Sequence, residues 1–244
     1  MNISICGWDD RLDNIRCKII YDVINIMYRY FNNEILFRND LIIYNIKSVD
    51  CLCAGEDPCT HYDRSHICLN VDGAHWCQFV HQLSHELCHC STSRTQLPQN
   101  IKWFDEFICC CSSYLVELII SQETSGLYNY MFGESTSKNF ADYLLIEEKE
   151  HIYCVDSIRT FFKYNRKGYE SDQNLIKKHD FYCVELFNKL NNNFNGLTFV
   201  GKMHLVQLFD CMNIEQFITA LKAICDEKEN NVINQIIDVF GIKI

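Results

Sequence analysis

The chain has 244 residues, of which 48% are apolar and 22% are charged, and its formal net charge is −10. This composition can fill a hydrophobic core, so a globally disordered protein is excluded. The negative charge argues against general binding to nucleic acid or to anionic lipid, because both would repel the chain. The length predicts one domain with a helical appendage, or two small lobes.

The N-terminus lacks the basic start, apolar run and cleavage site of a secretory signal peptide, and no run of about 18 apolar residues is present to span a bilayer. The sixteen cysteines do not occur in the short, exported type of chain that disulfide scaffolds favour. We interpret most of them as buried free thiols in a reducing cytosol. The expected location is therefore cytoplasmic, with no membrane and no nucleic-acid partner.

Hydrophobic periodicity predicts a mixture of helices and strands in the N-terminal half. The clearest strand alternates Ile67, Leu69 and Val71 on one side with polar or small residues on the other, which is typical of a half-buried strand. In chain order the predicted elements are a helix over 12–30, a strand over 41–46, a loop over 48–64, a strand over 66–71, and helices over 75–90 and 101–122.

The C-terminal half shows helical patterns only, after a loop with two glycines over 123–137. The predicted helices cover about 138–151, 154–166, 172–192, 200–211, 214–227 and 229–240. We therefore expect an α+β fold: a core with a small N-terminal sheet and an active-site helix over residues 1–130, and a mostly helical lobe over 131–244.

The most informative motif is His85-Glu86-Leu87-Cys88-His89, an HExxH sequence within a predicted helix. Residues four apart lie on one face of a helix, so the two imidazoles can bind one metal ion. Glu86 is rotated about 100° from His85 and can act as a general base without being a ligand. The pattern predicts one catalytic zinc, which polarises a carbonyl group and lowers the pKa of water.

A catalytic zinc takes three protein ligands and keeps one position open. A third histidine ten residues after His85 is excluded, because Thr95 stands there. The best candidate is Glu106, a charged residue beside Phe107 at the start of a very apolar helix, where burial is costly unless the carboxylate is paired or bound to metal. The alternatives are Asp105, Glu117, another residue, or no third ligand.

HExxH on one helix with a glutamate on the next resembles the gluzincin division of zinc metallopeptidases, thermolysin-like in the broad sense. The resemblance covers residues 66–121, about a quarter of the chain. It implies that His85, His89 and Glu106 bind zinc, that Glu86 is the catalytic glutamate, and that a peptide or protein is the substrate. It also implies that the strand over 66–71 offers an edge with which an extended substrate pairs.

One departure from the family concerns the residue four positions after the ligand glutamate. Thermolysin-like enzymes have an aspartate there that holds a ligand histidine, and this chain has Cys110. The missing aspartate favours an alternative function, in which a catalytically silent zincin-like core binds or regulates a partner. The intact Glu86 favours the peptidase, because metal binding alone needs no base.

The polar loop that precedes the strand over 66–71 contains a candidate for a second, structural zinc site. Its Cys-x-Cys and Cys-x-His pairs supply four ligands suited to a closed zinc site, although the spacing is not that of a standard zinc finger. The four residues are Cys51, Cys53, Cys59 and His61. A disulfide within the loop, or a plain cysteine-rich loop, are the alternatives.

Overall fold

The structure is a computed structural model that describes residues 2–8, 10–32, 40–47, 59–60, 65–71, 75–92, 97–98, 101–123, 182–183, 185–191, 193–209 and 212–244. Helices predominate in these ranges beside one small sheet, which confirms the predicted mixture of α and β structure. Contacts divide the chain into a first unit (1–29, 33–91 and 112–145) and a second unit (30–32, 92–111 and 146–244). The predicted boundary at residues 130 and 131 lies outside the described residues.

The first unit contains a four-stranded sheet with the strand order β1-β2-β4-β3. The strands are β1 (Ile3–Cys6), β2 (Leu41–Asn45), β3 (Cys59–Thr60) and β4 (His66–Leu69). β1, β2 and β4 run parallel, and β3 pairs with β4 in the antiparallel direction. Parallel neighbours need a crossover connection, and helix α1 (Asp13–Phe31) lies between β1 and β2 in the chain. Its apolar face, including Ile19, Val23 and Met27, is fully buried.

Two short strands were not predicted. β1 has four residues and β3 has two, too few to show a period, and β3 falls in the stretch expected to be a loop. The expectation that the strand over 66–71 offers a free edge to substrate is wrong. β4 is an inner strand, because β2 covers one side of it and β3 the other, with Thr60 opposite Ile67.

Helices α2 (Trp76–Thr92) and α3 (Lys102–Glu123) confirm the two predicted central helices. Two serines of α3 donate to carbonyls of α2: Ser112 Oγ to Ser84 O at 3.2 Å and Ser113 Oγ to His81 O at 2.9 Å. Small side chains at these positions allow the two backbones to approach closely. The later residue of α2, Ser84, is bonded to the earlier serine of α3, Ser112, and the earlier residue, His81, to the later serine, Ser113. The two helices therefore run antiparallel.

The regular elements of the second unit are all helical in the part of the chain that the structure describes. Residues 182–183 and 185–190 are helical, as predicted. The helix predicted over 200–211 is instead a 3-10 helix over Asn195–Leu205, and residues 206–209 are not helical. Two α-helices follow, α4 (Ile214–Ile224) and α5 (Glu227–Phe240).

Capping boxes explain where the last two helices begin. Asn213 and Gln216 exchange hydrogen bonds at the start of α4, and Asp226 and Glu229 do the same at the start of α5. Each pair satisfies two backbone N–H groups that have no partner within the helix. α5 ends at Gly241, whose φ of 61° lies in the left-handed region that favours glycine.

None of the helices in the described ranges is long and apolar enough to cross a bilayer.

Candidate metal centre

The two histidines of the HExxH motif face each other on α2. Their Nε2 atoms are 3.2 Å apart, and their ring centroids are 4.8 Å apart at an interplanar angle of 77°. His89 is 1% exposed and His85 is half-buried. The prediction that helical spacing brings both imidazoles to one face is therefore confirmed.

The separation of the two ring nitrogens fits a tetrahedral metal ion. Two imidazole nitrogens at the usual Zn–N distance of about 2.05 Å, subtending the tetrahedral angle, lie roughly 3.3 Å apart. The observed 3.2 Å matches this value. Two neutral imidazoles can also share one proton at this distance.

Cys109 of α3 completes a group that could hold a metal ion. One ligand atom each from His85, His89 and Cys109 lie within 4.8 Å of one another, and no other such group occurs among the described residues. The serine contacts explain the position of Cys109. Cys109 lies three residues before Ser112 on α3. Because the helices are antiparallel, the matching position on α2 is Leu87, three residues after Ser84 and midway between the two histidines.

Glu106, the predicted third ligand, is half-buried on α3 and is not a member of this group. It precedes Cys109 by three residues, so the two side chains lie on the same side of the helix. Sequence reasoning treated the thiols of this helix as core residues and therefore missed Cys109. The sequence does contain a signal for Cys109: it stands three residues after Glu106, on the same side of the helix, and a thiolate is a soft metal ligand.

The two alternatives to Glu106 also lie on α3 and are fully buried. Asp105 and Glu117 are each 0% exposed. Glu117 lies one turn or more away from the metal group, where its Oε2 is 3.4 Å from Nδ1 of His81. The ring of His81 also meets the ring of Tyr114 edge-to-face, with centroids 5.8 Å apart. His81 is thus in contact with two residues of α3.

The candidate base, Glu86, is buried at 3% exposure. Its Oε2 accepts a hydrogen bond from the Thr60 hydroxyl at 2.8 Å, and its backbone carbonyl lies at the same distance from that hydroxyl. Burying a carboxylate is costly unless it is hydrogen-bonded. Thr60 stands 26 residues away in the chain, so no local pattern could have identified it.

The proposed second zinc site has one member in the described ranges. Cys59 is disulfide-bonded, and its partner lies outside them, as do Cys51, Cys53 and His61. A sulfur atom in a disulfide does not offer the thiolate that zinc requires. In this state Cys59 is not a zinc ligand, and the alternative of a disulfide at this loop describes it better.

No protein-family model, no curated protein and no solved structure matches the chain.

Proposed function

We propose that this chain is a zinc-dependent peptidase, with Glu86 as the general base. The observation that carries the proposal is the arrangement of one turn of α2. It presents two ring nitrogens at the spacing of tetrahedral ligands and, between them in the chain, a buried carboxylate. Metal binding alone explains the histidines, but it does not explain a carboxylate kept in the protein interior beside them.

The ligand set supported by the geometry is His85, His89 and Cys109. Three protein ligands is the number that catalytic zinc sites use. These residues would hold a zinc ion, and its Lewis acidity would polarise the substrate carbonyl and lower the pKa of water. Glu106 was the predicted third ligand, and Cys109 replaces it in this proposal.

Glu86 has a role that follows from its own surroundings. As a carboxylate it accepts the proton of the attacking water, and as a carboxylic acid it returns that proton to the departing amine. One of its two carboxyl oxygens, Oε2, is held by Thr60. Among the described residues, the other oxygen has no hydrogen-bond donor, so it is the one left to meet the water.

The proposal is tested by comparing wild type with Glu86→Gln and His85→Ala, using zinc content by elemental analysis and cleavage of fluorescein-labelled casein. Glu86→Gln keeps the size of the side chain and removes the base. We expect it to retain about one zinc per chain and to lose roughly 10²- to 10⁴-fold in rate. His85→Ala is expected to lose both zinc and hydrolysis.

Two results would contradict the proposal. Equal hydrolysis by Glu86→Gln and wild type would remove Glu86 from the chemistry. A wild type that binds zinc but does not cleave casein would favour the catalytically silent binding protein instead.

A further inference from the structure

Thr60 makes an unusual contact for a residue at the edge of a sheet. Its hydroxyl lies 2.8 Å from Glu86 Oε2 and 2.8 Å from the Glu86 backbone carbonyl. Both acceptors belong to one residue of α2, whereas Thr60 belongs to β3. The contact therefore joins the edge of the sheet to the carboxyl group that the proposed reaction uses.

A hydroxyl group suits this position because it has one proton and two lone pairs. It can donate its single proton to Oε2 or, by rotation of one O–H bond, to the carbonyl oxygen that lies at the same distance.

The backbone of Thr60 is held by the sheet and by its neighbour. Thr60 pairs with Ile67 and Cys59 with Cys68 in the antiparallel ladder, and both β4 partners are fully buried. Cys59 is also held by its disulfide. Threonine is branched at Cβ, so few χ1 rotamers are open to it. The position of the Thr60 hydroxyl next to Glu86 is therefore restricted by both its backbone and its side-chain rotamer.

We propose that Thr60 is the positioning residue for the general base Glu86. It holds Oε2 and so orients the carboxyl group, which leaves the second oxygen to meet the attacking water. This inference rests on the proposed peptidase function, and it adds a residue that belongs neither to the HExxH motif nor to the metal group.

The test uses the full chain and two substitutions of Thr60. Thr60→Val has nearly the same shape without the hydroxyl, and Thr60→Ser keeps the hydroxyl without the methyl group. The measurements are zinc content, kcat and KM on fluorescein-labelled casein, and the thermal unfolding midpoint, with Glu86→Gln alongside. A hydrogen bond to a charged group corresponds to roughly 10- to 150-fold in rate.

We expect Thr60→Val to lose kcat by about this factor, with zinc content and KM unchanged, and Thr60→Ser to recover most of it. Unchanged kcat in Thr60→Val, together with loss of activity in Glu86→Gln, would overturn the inference and leave the proposed function standing. Equal losses in both Thr60 variants, with zinc loss or early unfolding, would show a purely structural role and also overturn it. If wild type is inactive, or if Glu86→Gln is fully active, the proposed function fails and the inference fails with it.

Discussion

Replacing Cys109 by serine removes the thiolate from the metal group and changes little else in volume. A tetrahedral zinc with Zn–N near 2.05 Å and Zn–S near 2.3 Å places nitrogen and sulfur ligands about 3.6 Å apart. The atoms of His85, His89 and Cys109 already lie within 4.8 Å of one another, so a shift of about 1.2 Å or less would complete the site. We therefore expect Cys109 to bind the ion directly.

The size of the effect follows from the energy that ligands contribute. Structural zinc sites with four ligands are worth about 10–16 kcal/mol, or roughly 3 kcal/mol for each ligand. Loss of one ligand then weakens zinc binding about 100-fold. The assay is competition with a chromophoric chelator under anaerobic conditions, which keeps the free thiols reduced.

Cys110→Ser is the matched control for this substitution. Cys110 is also a buried cysteine of α3 outside any disulfide, but the next residue of a helix points about 100° away, and Cys110 is not in the metal group. It should retain wild-type zinc affinity, as should Glu106→Gln. Wild-type affinity in Cys109→Ser, with a large loss in Glu106→Gln, would refute the geometric argument and restore the ligand predicted from sequence.

Three further predictions concern the rest of the molecule. Phe240→Ala should lower the free energy of unfolding by about 3–5 kcal/mol in urea titration. The buried ring of Phe240 has its centroid 4.6–5.1 Å from those of Trp103, Phe107 and Tyr182. An effect below about 1 kcal/mol would contradict this packing. Burial raises the pKa of Glu229, but hydrogen bonds from Lys202, Asp226 and Thr198 outweigh burial, and the net pKa is lowered below 4.5. The stabilising contribution of the Glu229 carboxylate is therefore present above pH 4.5 and is lost as the pH falls through the lowered pKa. The urea midpoint of wild type should fall more steeply below pH 4.5 than that of Glu229→Gln, and parallel profiles would contradict this prediction. Burial, aided by the charge of Glu117, raises the pKa of the Cys77 thiol to about 12. Peptide mapping should therefore show little reaction of Cys77 with iodoacetamide in native protein at pH 8 and full reaction in protein unfolded in guanidinium. Fast alkylation of Cys77 in the native protein would contradict the raised pKa.

Prediction from sequence succeeded for elements whose signal is local and long. α1, α2, α3, α4 and α5 each repeat the helical period over several turns, and β2 and β4 carry apolar runs, so burial of one face is readable from residue order alone. It failed for β1 and β3, which are too short to show a period, and for residues 206–209, where an apolar pattern does not continue as helix.

The sequence by itself determined the paired imidazoles of the candidate site. His85 and His89 are four residues apart on one helix, and helical geometry alone places both imidazoles on one face, where their ring nitrogens lie 3.2 Å apart. That result needs no knowledge of the rest of the chain.

Only the tertiary structure decided which residues meet that helical turn. Cys109 joins the histidines because two serine contacts set the position of α3 along α2, and Thr60 meets Glu86 because β3 pairs with β4. Contacts between distant segments depend on how whole elements slide and pair, and a shift of a single turn would exchange one neighbour for another. Such a shift leaves the hydrophobic pattern of each element unchanged, so the pattern does not predict which residues of two elements meet.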